Sequence, residues 1–196
     1  MKKIILLFLA AFAWFHFYYI GSAPTLGPGI MLEGEPYQAN TDKKPFLIDS
    51  FDIIPKRDFD ARVRILAVEP YYFDRQSWLS PMDIVVGWDS LSDESIYSQI
   101  DFTQFDREYS WNNHSTEVNN AEITRQTANI SLIPANNLIK EQLRFLKLGS
   151  LVVLTGTLVD VKRTMHWKWN SSLSREDQGK EASEILYLEK IEHFEP

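Results

Sequence analysis

Between Ile4 and Ile20 every residue except His16 is apolar or aromatic, and Lys2 and Lys3 stand directly before the run. Such a segment has no polar face, so it is not a surface helix of a globular domain. As a helix its 17 residues would reach about 25 Å, close to the ~30 Å of a bilayer's hydrocarbon core. Two cations ahead of an apolar run form an export signal, and Phe17, Tyr18 and Tyr19 sit where interfacial aromatics belong. Gly21, Ser22 and Ala23 are small enough for a cleavage site, but Pro24 is a poor residue after a cut, so the segment reads as a retained anchor. The positive-inside rule puts Lys2 and Lys3 in the cytoplasm and the rest of the chain outside it. The expectation is a single-pass protein of the bacterial inner membrane with a periplasmic C-terminal domain.

Residues 1–23 are thus expected to be a signal anchor, a single transmembrane helix. Residues 24–44 carry three Pro and three Gly with no periodic pattern, as a tether or a strap on the domain would. Residues 45–196 are long enough for one domain with its own core. Beyond residue 23 there are 18 basic and 27 acidic residues, a net −9. That sign excludes nucleic acid as an expected partner and argues against adhesion to anionic lipid. The absence of cysteine removes disulfides, thiolate metal sites and a cysteine nucleophile.

Within the domain, Phe59 to Val68 alternates, with Arg62 and Arg64 opposite Phe59, Val63 and Ile65, which predicts a half-buried strand. Phe46 to Ile54 is a weaker strand ended by Pro55. Met82 to Trp88 is a buried one, whose Gly87 permits close backbone approach. Ser90 to Ile100 reads as a short helix or turn, and Ala128 to Ile133 as a strand. Asn136 is placed to cap the principal helix, through Lys147, with Gly149 past its end. Leu151 to Val161, His166 to Trp169 and Ile185 to Ile191 complete the strands, with a bend or bulge at Gly156. Strands, one helix, then strands predict a mainly β (α+β) domain. Its layout is that of a small Greek-key, OB-like barrel, with a general antiparallel α+β sheet as the alternative.

Chemistry is sparse. His114, His166 and His193 lack the spacing zinc requires, no phosphate loop is present, and neither a cofactor nor a metal is expected. His114 reads as a solvated loop residue. The loop from Asn170 to Gly179 combines three Ser, Arg175, Glu176 and Asp177, which suits either a hairpin connection with local bonds or a site. One assignment makes it hydrolytic, with His166 as base, Asp177 or Glu176 as its partner, Ser172 or Ser174 as nucleophile and Arg175 on an anion. G-x-S-x-G and S-x-x-K are both missing. Trp167 and Trp169 share a strand face, as a core layer or as a stacking platform.

Ser80, Pro81, Asp83, Gly87 and Trp88 spell S-P-x-D-x-x-x-G-W, and Ser171, Ser172, Leu173, Arg175, Asp177 and Gly179 spell S-S-L-x-R-x-D-x-G. With these motifs the chain after Phe59 resembles an uncharacterised family of bacterial membrane-anchored proteins. The resemblance brings no activity. Where that family's pattern has a Cys, this chain has Ser183 before Glu184, so no thiol-based role is implied. The expected function is a membrane-anchored extracytoplasmic binding or interaction module for an envelope protein, a glycan or a peptide. Its binding residues are taken as Asp83, Trp88, Trp167, Trp169, Ser172, Arg175 and Asp177. The alternative is an envelope hydrolase or small-ligand sensor using His166, Ser174 and Asp177. If the two motifs form one surface, the segment from Asp83 to Trp88 and the loop from Ser171 to Gly179 lie side by side.

Overall fold

The structure is a computed structural model that describes Leu7, Ala10 and residues 26–164, 167–174 and 182–195. Strands make up 51% and helices 14%, so the chain forms a mostly β, sheet-rich domain with few helices. The anchor expected over 1–23 lies outside the described residues apart from Leu7 and Ala10. Among the described residues no helix is long and apolar enough to cross a membrane.

The strands are β1 (Tyr37–Asn40), β2 (Phe46–Ile48), β3 (Phe51–Pro70), β4 (Met82–Gly87), β5 (Ile100–Phe105), β6 (Glu108–Asn113), β7 (Thr127–Pro134), β8 (Leu151–Thr164), β9 (Trp167–Trp169) and β10 (Ser183–His193). The helices are α1 (Glu94–Tyr97), α2 (Asn120–Gln126) and α3 (Asn137–Leu143), with a 3₁₀ turn at Ser90–Ser92. Five strands pair in a closed circuit, β3–β4–β7–β10–β8 and back to β3. Only the β7–β10 pairing is parallel. The circuit closes because β3 is long enough to serve two partners: Asp52 to Arg64 pair with β8, and Arg64 to Pro70 with β4.

Alternation fills the circuit. Phe59, Ala61, Val63 and Ile65 from β3 meet Ile84 and Val86, Ile130 and Leu132, Leu154 and Leu158, and Leu186 and Leu188, with Trp88 among them. Ile139, Leu143 and Leu146 cover this core from the α3 segment. A second core joins Phe51, Ile53, Val159, Val161, Ile133, Ile185 and Leu79, with Trp167 and Trp169 packed on it. Arg64 pairs with Leu151 at one end of the β3–β8 ladder and Asp52 with Lys162 at the other, about 40 Å apart at 3.3 Å per residue. Phe51 and Ile53 put the second core at the Asp52 end of β3, while on β7 and β10 the two cores take opposite faces, Leu132 and Leu186 in the first and Ile133 and Ile185 in the second.

Four local expectations are corrected. Pro55 does not end a strand: β3 runs through it, and the register shift between Pro55 and Arg57 is a bulge of the kind that tolerates a residue with no N–H. The helix capped by Asn136 stops at Leu143, not Lys147, because the chain tightens into i→i+3 turns at Phe145 and Leu146 that carry Leu146 into the core. It is not the principal helix, since α2 is equally long; there Asn119 and Glu122 form a reciprocal capping box. His114 is exposed and follows the end of β6, as expected of a loop residue, although the residues before it pair with β5. At Gly87 a Cβ would come within 2.7 Å of the Leu91 carbonyl oxygen, and at Gly156 within 2.2 Å of the Tyr187 oxygen. Close approach explains both glycines, and the irregularity near Gly156 lies on β10, between Leu188 and Lys190.

Candidate functional site

Pairing from Ile100↔Asn113 to Phe105↔Glu108 leaves Asp106 and Arg107 as a two-residue turn, both at positive φ (50° and 68°). This is the hairpin geometry that Asn-Gly usually supplies, adopted here by side chains that pay for it in strain. Arg107 recovers the cost through its bonds. Its Nη1 donates to Asp83 Oδ1 (2.8 Å) and Ser80 Oγ (3.2 Å), and its Nη2 donates to Asp74 Oδ2 (2.8 Å) and the Ser80 carbonyl (2.9 Å). Nε also donates to Asp74, at 3.2 Å. The guanidinium carbon lies 3.7 Å from the centre of the Tyr71 ring and 5.6 Å from that of Trp169. The main chain is held as firmly: Arg107 N–H donates to the Tyr71 hydroxyl, and its carbonyl accepts from Ser183 Oγ (2.6 Å) and Asn129 Nδ2 (3.3 Å).

Sheet alternation puts these partners together. Ile84, Ile130 and Leu132 point into the circuit, so Asp83, Asn129 and Ser131 point out of it, under the hairpin. Ser183 joins them because β10 pairs with β7 at Asn129. Burial pushes the Asp83 carboxyl above the usual carboxylate range, opposed by the Arg107 guanidinium and the polar side chains of Ser131 and Asn129. Burial, and then the Asp83 charge, raise the Tyr71 hydroxyl to about 12. The cluster fastens the hairpin and the 71–81 loop onto the outer face of β4 and β7.

Around the clamp lies a rim of aromatic rings. Trp78 packs edge-on to Phe51 (6.3 Å), Phe51 to Trp167 (6.0 Å), and Trp167 stands 6.5 Å from Trp169, beside Arg107. On the same loop Tyr72 and Trp78 are exposed and Phe73 is 99% exposed. Apart from Phe51, which opens β3, these rings come from the 71–81 loop, which Tyr71 N–H and the Pro81 carbonyl close, and from the segment after β8.

Of the residues singled out from the sequence, Asp83 is the buried partner of Arg107, and Trp167 and Trp169 stand half-buried in the rim. Ser172 N–H donates to the Ser183 carbonyl, so this loop reaches the clamp through Ser183. Its hydroxyl donates to the Ser174 carbonyl and accepts from Ser174 N–H, and Ser171 Oγ donates to the Ser172 carbonyl. Trp88 is elsewhere, 1% exposed in the main core at the far end of β4, where it cannot meet a ligand. His166, Arg175, Glu176, Asp177 and Gly179 lie outside the described residues. His114 is exposed, 3.0 Å from Asp101. Among the described residues no three His, Cys, Asp or Glu are grouped to hold a metal. Sequence reasoning missed Arg107, Asp74, Asn129 and Gln104; the last donates to Asn129 at 2.8 Å. The available signal was Asp106-Arg107 between the alternating runs IDFTQF and EYSWNN.

No family model matches the chain, and no curated protein or solved structure is significantly similar to it.

Proposed function

We propose that this chain is a membrane-anchored extracytoplasmic binding module, built as an OB-like barrel, that recognises an envelope protein through its aromatic rim. The closed five-strand circuit, its single parallel pairing between the third and fifth ring strands, and the α3 segment joining the third to the fourth support the OB-like reading. In such barrels ligands lie on the second and third strands and on the loops joining strands one to two and four to five. Here the β5–β6 hairpin covers the outer face of β4 and β7, which leaves the two loops. Those loops carry Tyr72, Phe73 and Trp78, and Trp167 and Trp169.

The exposed aromatic rim around the Arg107–Asp83 clamp is the observation that carries the proposal. Aromatics bring large contact area at low entropic cost, and a rigid base pre-organises them. The net negative charge turns the module away from phosphate backbones and toward a protein, with cell-wall glycan or peptide as the competing ligand class. In the hydrolase and sensor alternative, the Ser172 hydroxyl is engaged by the Ser174 main chain, and His166 and Asp177 lie outside the described residues.

The test is a photo-crosslinking side chain at Phe73 or Trp78 of the full chain in native membranes, with exposed Leu47 as the control position. The expected result is one protein adduct at 73 and 78, absent at 47 and weakened by Tyr72→Ala. Identical adducts at all three positions, or none from folded protein, overturns the proposal. Competition by soluble cell-wall fragments would reassign the rim to glycan.

A further inference from the structure

The segment from Leu26 to Gly34 lies at the end of the barrel opposite the rim, and it is fastened there through its main chain. Leu26 and Gly27 N–H both donate to Glu94 Oε2 (2.9 Å), and Gly29 N–H donates to Asp93 Oδ2 (2.9 Å). Leu32 N–H donates to Ser92 Oγ (2.7 Å), Gly34 N–H to Asp89 Oδ1 (2.9 Å), and Arg64 Nη2 to the Ile30 carbonyl (3.3 Å). Asp89, Asp93 and Glu94 at this end are therefore engaged by the strap.

Six chain steps separate Ile20, the last residue of the apolar run, from Leu26. Fully extended they span about 20 Å, well short of the ~40 Å between the two ends of the β3–β8 ladder. If the run is in the bilayer, the Arg64 end of the barrel faces the membrane surface. This step rests on the anchor in the proposed function.

The segment that follows α3 lies at that same end. Ile65, adjacent to Arg64, donates its N–H to the Ser150 carbonyl and accepts from Gly149 N–H. Leading up to Gly149, the residues 137–148 read NLIKEQLRFLKL, with three basic residues and one acid in a domain of net −9. Ile139, Leu143 and Leu146 are buried, whereas Leu138 is 69% and Phe145 63% exposed, and Leu148 is exposed as well. Leu138 lies on α3 and Phe145 in the tighter turn just beyond its end. Lys140 and Arg144 are exposed on the same short segment, and its one acid, Glu141, is paired by Arg144 at 3.0 Å.

We infer that Leu138, Phe145 and Leu148, with Lys140, Arg144 and Lys147, form a lipid-contacting patch that seats the barrel on the anionic surface of its own membrane. Apolar side chains interleaved with bases are what a headgroup interface holds, and each base near such a surface adds attraction. The overall acidity of the domain repels the same surface everywhere else, so contact is confined to this end. The barrel is thereby oriented with the rim turned outward, toward a partner.

Because the chain contains no cysteine, one introduced thiol can be labelled cleanly. Phe145→Cys and Phe73→Cys full-length chains, each carrying a nitroxide, are reconstituted in phosphatidylcholine vesicles with and without phosphatidylglycerol. With phosphatidylglycerol, the label at 145 is expected to favour oxygen over an aqueous nickel quencher at least threefold more than the label at 73. The triple variant K140E/R144E/K147E should abolish that contrast. Water-like values at 145 in vesicles that carry the chain through flotation overturn the patch and leave the anchor standing. A chain that fails to float overturns both. A contrast that survives charge reversal overturns the role assigned to the bases.

Discussion

Among the described residues two arginines are buried, Arg64 at 0% and Arg107 at 8% exposure, and they are buried in opposite ways. Arg107 has two carboxylates, a hydroxyl and a carbonyl on its guanidinium and an aromatic ring against its face. Arg64 has one long bond to Ile30, Glu94 at 3.9 Å and the Tyr97 ring at 5.3 Å, while its Nε and Nη1 find no hydrogen-bond acceptor among the described residues. The first is held by strands and a hairpin. The second is covered by a strap, whose covering is only as firm as its own main-chain bonds. The rim end is thus a rigid platform, and the strap end is a fastening.

The largest effect that separates them is substitution of the arginines. Arg107→Met strands Asp83 in the outer face of β4, and losing one partner of a buried pair costs about 3–5 kcal/mol. Arg64→Met removes a charge that is poorly satisfied and leaves a side chain of similar length, at a cost of no more than about 1 kcal/mol. Urea unfolding of the full chain in detergent gives both numbers. Equal costs would erase the distinction between clamp and fastening.

A smaller effect concerns the strap alone. Glu94→Ala removes the acceptor of Leu26 and Gly27 N–H. Losing a charged acceptor is worth about 1.5–3 kcal/mol locally, so exchange at the Leu26, Gly27 and Gly29 amides should accelerate about tenfold or more. The Arg107 amide, on the far end, should keep its protection. Hydrogen exchange resolved by residue checks it, and acceleration at both ends would mean that the strap supports the whole domain.

How much of this was legible follows from what each feature depends on. Strands that bury one face, such as Phe59 to Val68, alternate visibly, and Gly87 announced a close approach before Leu91 was known to make it. The hairpin did not show, because IDFTQF and EYSWNN are polar on the face turned to solvent and their turn is Asp-Arg rather than Asn-Gly. Arg107 was hidden for a related reason: its five donors are satisfied by residues 24 to 33 positions away, and nothing in local spacing marks such a convergence. Asp83 was singled out as a binding residue by its motif, though its partner is within the chain. Trp88 shared that motif, but strand alternation puts it in the core. The acids of SLSDESI suggested a helix start, and Asp93 does cap α1; that they also hold the strap depends on a segment some 60 residues earlier.

The smallest effect is one of pH, and it has opposite signs at the two ends. Asp93 is pushed up by burial, but bonds from Ser95 N–H, Ser95 Oγ and Gly29 N–H, with the Arg64 charge, together hold its carboxyl below the ordinary value. A lowered carboxyl contributes stability above its unfolded pKa of about 3.9 and loses it as pH falls through the folded value. Asp83 is raised, so its contribution is full below about pH 3.9 and is lost as pH rises through its folded value. Acidification from neutrality to below pH 4 should therefore loosen the Gly29 contact while relieving the burial of Asp83. In an amide-resolved titration the Gly29 resonance should move toward its unfolded position over this range, and Asp93→Asn should remove the transition. The Arg107 resonance should titrate with Asp83 at higher pH and lose that titration in Asp83→Asn. A single shared midpoint at both ends would show one cooperative unit, in place of a rigid platform and a separable fastening.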